Sequence, residues 1–116
     1  MAFPGTFNFN YYRGDTNQFV IRPKNANGSA FDLTGYTALY FIATTRGSAG
    51  VATRQQAQVV VDTANDLLTC TILPGVGRNL TPGTFVYDVQ ITTGASNILT
   101  ILTGSITVTD DITGAV

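Results

Sequence analysis

Polar and apolar residues alternate in short runs along this chain, and clusters of turn residues separate the runs. From Thr6 to Tyr12, Phe7, Phe9 and Tyr11 fall on one face and Thr6, Asn8 and Asn10 on the other. A repeat of two is the signature of a strand, whose successive side chains point to opposite faces. Arg13-Gly14-Asp15-Thr16 reads as a turn, and Gln18 to Arg22 places Phe19 and Ile21 on one face. Pro23 to Ala30 is a break, because Pro, Asn, Gly and Ser each favour turn geometry.

After Phe31-Asp32-Leu33-Thr34-Gly35, the run Tyr36 to Thr45 sets Leu39, Phe41 and Ala43 one way and Tyr40 and Ile42 the other. Apolar residues on both faces predict a central strand or one whose outer face is covered by a partner. Arg46 to Gly50 predicts a turn, Val51 to Val61 an edge strand, and Asp62 to Asp66 another turn. Leu67 to Leu73 follows with Leu68, Cys70 and Ile72 on one face. Pro74 to Gly83 is the longest irregular stretch, with a helical turn expected around Val76 to Leu80.

The cleanest alternation comes next: Phe85, Tyr87, Val89 and Ile91 inward, Val86, Asp88, Gln90 and Thr92 outward. Gly94 to Asn97 predicts a hairpin turn. In Ile98 to Thr109 the apolar phase slips, from Leu99 and Ile101 to Leu102, Ile106 and Val108, which predicts a bulge near Gly104. No run carries a sustained helical period. The pattern predicts one all-β domain over residues 1–116, an antiparallel β-sandwich of about seven or eight strands, with a small barrel as the alternative.

Composition changes this picture in one respect. The apolar share, 44%, is ordinary, but the charged share is 11%, against roughly 25% in soluble domains. Glu is absent and Lys24 is the sole lysine. A Thr-rich pleated surface accounts for part of this. Burial of the surface by partners accounts for it equally well, since charge is depleted at interface cores. The net charge of −1 and the scattered basic residues (Arg13, Arg22, Lys24, Arg46, Arg54, Arg78) argue against a nucleic-acid face.

Cys70 is the single cysteine and excludes an internal disulfide; its strand position predicts a buried, inert thiol. No apolar run approaches the length of a membrane span, so no membrane partner is expected. Met1 to Gly5 lacks the basic and apolar regions of a secretory leader, giving the expectation of a product made in the cytoplasm that stays there until it is assembled.

The inventory of reactive groups is short. With no His, the common nucleophile systems and zinc sites are removed. Asp15, Asp32, Asp62 and Asp66 sit in turn segments and are read as backbone caps. The pair Asp110-Asp111 reads as a strand end or a charged contact to a neighbour, since calcium needs six to eight oxygen ligands. Gly75-Val76-Gly77 lacks the context of a phosphate loop. Arg13-Gly14-Asp15 is explained by turn chemistry rather than by cell adhesion. The expectation is a non-enzymatic protein with no cofactor and no metal.

Candidate interface residues follow from position. Tyr12, Tyr40 and Ile42 lie on the parity opposite the aromatic core, and Tyr is enriched where proteins meet. Pro74, Val76 and Arg78 belong to the long irregular connection, and such connections often carry function. Asp110 and Asp111 complete the set.

The order of Arg13-Gly14-Asp15-Thr16, Phe31 to Tyr36, Leu80 to Gln90 and Leu102 to Thr113 resembles a small virion domain of tailed bacteriophages. It is similar to the N-terminal domain of upper baseplate proteins, over nearly the whole chain. The resemblance implies an immunoglobulin-like β-sandwich in the virion that docks onto tail, baseplate or major capsid proteins and onto copies of itself. It carries no catalytic residues. Upper baseplate proteins continue into a fibre or receptor-binding region and this sequence stops at Val116, so a capsid decoration (cement) subunit is the alternative. A carbohydrate-binding module, with Tyr12, Tyr40 and the loops as its site, is a further one.

Overall fold

The computed structural model describes residues 5–25, 27–45, 54–93 and 98–110. The turns expected at Arg46–Gly50 and Gly94–Asn97, the start of the Val51 strand, and Asp111 lie outside the described residues. The described chain is nearly all β. Its strands are β1 (Gly5–Thr6), β2 (Phe9–Tyr12), β3 (Asn17–Ile21), β4 (Tyr36–Ala43), β5 (Gln55–Asp62), β6 (Leu67–Ile72), β7 (Gly83–Thr93) and β8 (Ile98–Thr109). A single turn of helix, α1 (Pro74–Gly77), follows β6. It starts where Pro74 supplies a preset φ and needs no N–H partner, two residues before the position expected from the sequence.

The strands form a sheet in the order β1-β8-β7-β4-β5-β6-β3, with β2 also paired to β8. β1 and β2 run parallel to β8 and every other pair is antiparallel, so the sheet is mixed rather than purely antiparallel. β5 serves two neighbours in turn: Gln55 to Ala57 pair with β4, then Gln58 to Asp62 pair with β6. It is therefore an interior strand rather than the expected edge strand; the edges are β1 with β2 at one end and β3 at the other. The sheet curls so that Phe19 of β3 reaches Tyr40 of β4 and Tyr87 of β7, with ring centroids 5.9 and 6.3 Å apart. Phe9 lies 5.6 Å from Phe19 and 5.5 Å from Tyr87, completing an aromatic interior of mostly edge-on contacts.

The interior explains the strand phases. Phe85, Tyr87, Val89 and Ile91 are all buried, as the alternation requires, and so are Leu68, Cys70 and Ile72. On β4 the expected faces are reversed in effect: Tyr40 and Ile42 are 0% exposed, while Leu39 is 44% exposed. Tyr40 pairs with Val89 and Ile42 with Tyr87, and partners directly opposite share a face. The phase slip on β8 occurs at Ile101, which is passed over between the pairs Val89–Leu102 and Gln90–Thr100. Gly104 is not the bulge. It is a point of close approach, where a Cβ would collide with the Phe7 carbonyl oxygen and lie 3.0 Å from Tyr87.

Turn chemistry follows the Asp residues. Asp62 Oδ1 accepts from the amides of Ala64 and Asn65 at 3.0 and 3.1 Å, and Asp32 Oδ1 from Thr34 N at 3.0 Å. Hydrogen bonds from Asn65, its side chain foremost, lower the Asp62 pKa, and that from Thr34 N lowers the Asp32 pKa. Asp66, at φ 51°, accepts from Leu33 N. Asp15 holds its turn through its backbone: its N–H donates to Tyr12 O, and its carbonyl accepts from the Tyr11 hydroxyl at 2.6 Å.

Candidate functional site

One end of the molecule gathers residues far apart in sequence. After β2, Gly14 adopts φ 88° to turn the chain, a conformation open to glycine at little cost. That geometry lets the Arg78 guanidinium lie against Gly14, where a Cβ would stand 2.9 Å from Cζ. Arg13 Nη2 donates to the Arg78 carbonyl at 2.9 Å, and Arg13 Nη1 meets Asp110 Oδ1 at 3.5 Å. Arg13 N donates to Thr109 O at 2.8 Å, continuing the β2–β8 ladder. Gly77 is buried under Tyr11, whose hydroxyl would collide with any Cβ there. Burial raises the Tyr11 pKa, and the phenol stays a neutral donor.

Of the candidate interface residues, Arg78 and Asp110 meet at Arg13, Tyr12 precedes Arg13 in the chain, and Pro74 and Val76 lie on the helical turn that leads into Arg78. Tyr12 is 59% exposed. Tyr40 and Ile42 do not join them. Both are enclosed in the core, so neither offers a contact surface in the folded chain. Burial also raises the Tyr40 pKa, and its hydroxyl has no hydrogen-bond partner among the described residues. The Cys70 thiol is pushed up by burial to about 12, which makes it inert at neutral pH. Among the described residues no group of three His, Cys, Asp or Glu could hold a metal ion, and no helix is long and apolar enough to cross a membrane.

The surface that sequence reasoning missed is the outward face of β4, β7 and β8. Register aligns Thr37, Thr92 and Ile98 in one row, Leu39, Gln90 and Thr100 in the next, and Phe41, Asp88 and Thr103 in a third. Ile98 is 61% exposed, and Arg54 lies over the Phe41 ring at 4.5 Å, a cation–π contact. Leu39 and Phe41 were expected inside. Nothing in the local sequence distinguishes the faces of β4, because both are apolar.

No family model and no curated protein sequence matches the chain. Among solved structures, the chain is similar to a GspB Siglec domain, with 18% identity and a TM-score of 0.51 over 94% of this chain. The chain spans about half of that structure, 56% of its length. It also overlays a family 123 glycoside hydrolase from Clostridium perfringens, with 12% identity and a TM-score of 0.41, over 93% of this chain and 23% of the hydrolase. At 18% identity, the first likeness is one of fold.

Proposed function

We propose that this chain is a non-enzymatic docking subunit of a tailed-phage virion, attached to tail, baseplate or capsid proteins. The observation that carries this reading is the outward face of β4, β7 and β8. Leu39 and Ile98 stand exposed there among Thr and Gln side chains, with Asp88 as the carboxylate in those three rows. Such a face costs little to desolvate, whereas a typical charged surface must lose tightly held water. The end built from Tyr12, Arg13, Arg78 and Asp110 lies past Thr109, at the other end of β8 from Ile98, and adds a second contact region. A capsid decoration role uses the same surfaces and differs only in the neighbour.

In this reading the curled sheet is an immunoglobulin-like sandwich. β3, β6 and the second half of β5 form one layer, and β4, β7 and β8 with β1 and β2 form the other. The Phe19–Tyr40 and Phe19–Tyr87 contacts would be the packing between layers. Quantitative mass spectrometry of purified particles tests the function: the chain is expected at a fixed stoichiometry to the major structural proteins. Its absence from intact particles would refute the proposal. Leu39→Lys and Ile98→Lys are expected to fold normally and to lose incorporation.

A carbohydrate-binding reading has one observation in its favour, the exposed Tyr12 ring next to Arg13 in an end that also holds Arg78. The fold likeness to a Siglec domain is compatible with it. Burial of Tyr40 removes the second aromatic anchor that this reading needs. Glycan-array binding that disappears in Tyr12→Ala would replace the docking proposal with this one.

A further inference from the structure

The sheet ends on the short strands β1 and β2 at one side and on β3 at the other, and β3 is the longer, uninterrupted edge. It stands last in the strand order, with β6 as its neighbour among the described residues. Such an edge exposes a row of unpaired amides and carbonyls, and proteins usually blunt it with Pro, Lys, a bulge or an inward charge. Asn17-Gln18-Phe19-Val20-Ile21 contains none of these, and its pairing with β6 is regular over all five residues. Beside it runs an apolar groove of about 320 Å³, lined by Phe7, Phe19, Val20, Ile21, Arg22 and Leu102. Phe7 and Val20 are exposed along it.

Charge identifies the occupant. Asp15 precedes the strand and Arg22 follows it, both are exposed, and neither forms an ion pair among the described residues. A strand that is neutral in the middle, acidic at its start and basic at its end is complementary to itself when paired antiparallel. A two-fold axis through Gln18 or Phe19 sets Asp15 of one copy near Arg22 of the other, twice. We propose that β3 pairs with β3 of a second copy, joining two sheets into one and covering the groove with apolar side chains of the partner copy. A two-fold contact of this kind is isologous and closes on itself. The proposal does not depend on the virion reading, because a chain with this edge pairs with itself wherever it is found.

A five-residue ladder spans roughly 17 Å, so the dimer is small and concentration-dependent. Sedimentation velocity on the full chain, from about 10 to about 500 µM, is expected to show a monomer–dimer equilibrium within the micromolar affinity range. Val20→Lys, on an exposed side chain, is expected to keep the wild-type melting temperature and abolish the dimer. Arg22→Asp is expected to weaken it about tenfold or more, by placing like charges together. Asp15→Arg combined with Arg22→Asp exchanges the two charges and is expected to restore most of the affinity. A chain that stays monomeric throughout the range overturns the proposal, including the outcome in which slow amide exchange of Asn17–Ile21 shows the edge covered from within the chain. A dimer indifferent to Val20→Lys and to Arg22→Asp alone overturns it equally.

Discussion

The two edges of the sheet differ: beside β8 the edge is made of two short strands, β1 and β2, which cover β8, whereas at the other end it is the single continuous strand β3, bare among the described residues. The covered edge is held by close fit. Phe7 and Asn8 interrupt the parallel ladder between β1 and β2: Phe7 N donates to Thr103 O at 3.0 Å, and Ser105 N donates to Asn8 Oδ1 at 2.9 Å. The Tyr87 hydroxyl donates to the Phe7 carbonyl from inside the sheet. Gly104 leaves room for that carbonyl, and Arg13 fastens the far end to α1 and Asp110. Among the described residues β3 has no such hydrogen bond on its open side, and Phe7 reaches it only through a ring contact with Phe19 at 5.5 Å. An edge irregular in hydrogen bonding resists further strands, and one that is flat, regular and neutral invites them.

The contrast is broken most severely at Gly104. Gly104→Ala drives a methyl group into the Phe7 carbonyl, and the expected loss in urea melts is about 3 kcal/mol or more, with β1 displaced. Any Cβ-bearing residue tolerated there at wild-type stability would show that the covered edge is not closely fitted.

Two tyrosines that share a ring contact sharpen the comparison further. Tyr87→Phe removes the donor to the Phe7 carbonyl and is expected to cost about 1–2 kcal/mol. Tyr40→Phe removes a buried hydroxyl with no partner among the described residues, so stability is expected to stay level or rise by up to about 1 kcal/mol. Equal losses in the two variants would contradict the assignment of the Phe7 hydrogen bond to Tyr87.

Alkali probes the interior behind both edges. The Cys70 thiol has its pKa raised by burial from 9.0 to about 12, and burial raises the Tyr40 phenol as well. A raised folded-state pKa means that the unfolded chain loses its proton first. The stabilising contribution is therefore complete below about pH 9 and is lost as the pH rises towards about 12. Unfolding free energy is expected to fall over that window, and Cys70→Ala to reduce the slope by up to about 1.4 kcal/mol per pH unit. A slope unchanged by the substitution would place the thiol in contact with water.

The smallest effect belongs to the fastened end. The ion pair of Arg13 and Asp110 is long, at 3.5 Å, and the Asp110 side chain is largely exposed. Asp110→Asn is expected to change stability by no more than about 0.5 kcal/mol. Loss of the Arg13 hydrogen bond to the Arg78 carbonyl, in Arg13→Ala, is expected to exceed it. The reverse order would assign the fastening to charge rather than to the backbone contact.

How much of this was legible varied from one segment to another. β7 was read correctly to the residue on its inner face, because Phe85, Tyr87, Val89 and Ile91 alternate with more polar neighbours. The turns at Asp32 and Asp62 were legible from side chains that cap their own local amides. β4 was not, and with it went Tyr40 and Ile42 as surface candidates. The candidate end was half legible. Tyr12, Arg78 and Asp110 were singled out, but Arg13, which joins Arg78 to Asp110, was set aside as part of a turn.

The sequence by itself determined the period of each strand, the positions of its local turns, the inert thiol and the sparse charge. Those properties depend on residues close to one another along the chain, where sterics and short hydrogen bonds act. The tertiary structure decided the sign of the alternation on β4, the parallel pairing of β1 and β2, the slip at Ile101 and the meeting of Arg13 with Arg78 and Asp110. A strand with two apolar faces is equally content either way up until its neighbours are placed. Only the packing of Phe9, Phe19, Tyr40 and Tyr87 into one interior fixed which face turned inward, and so which residues were left at the surface to meet a partner.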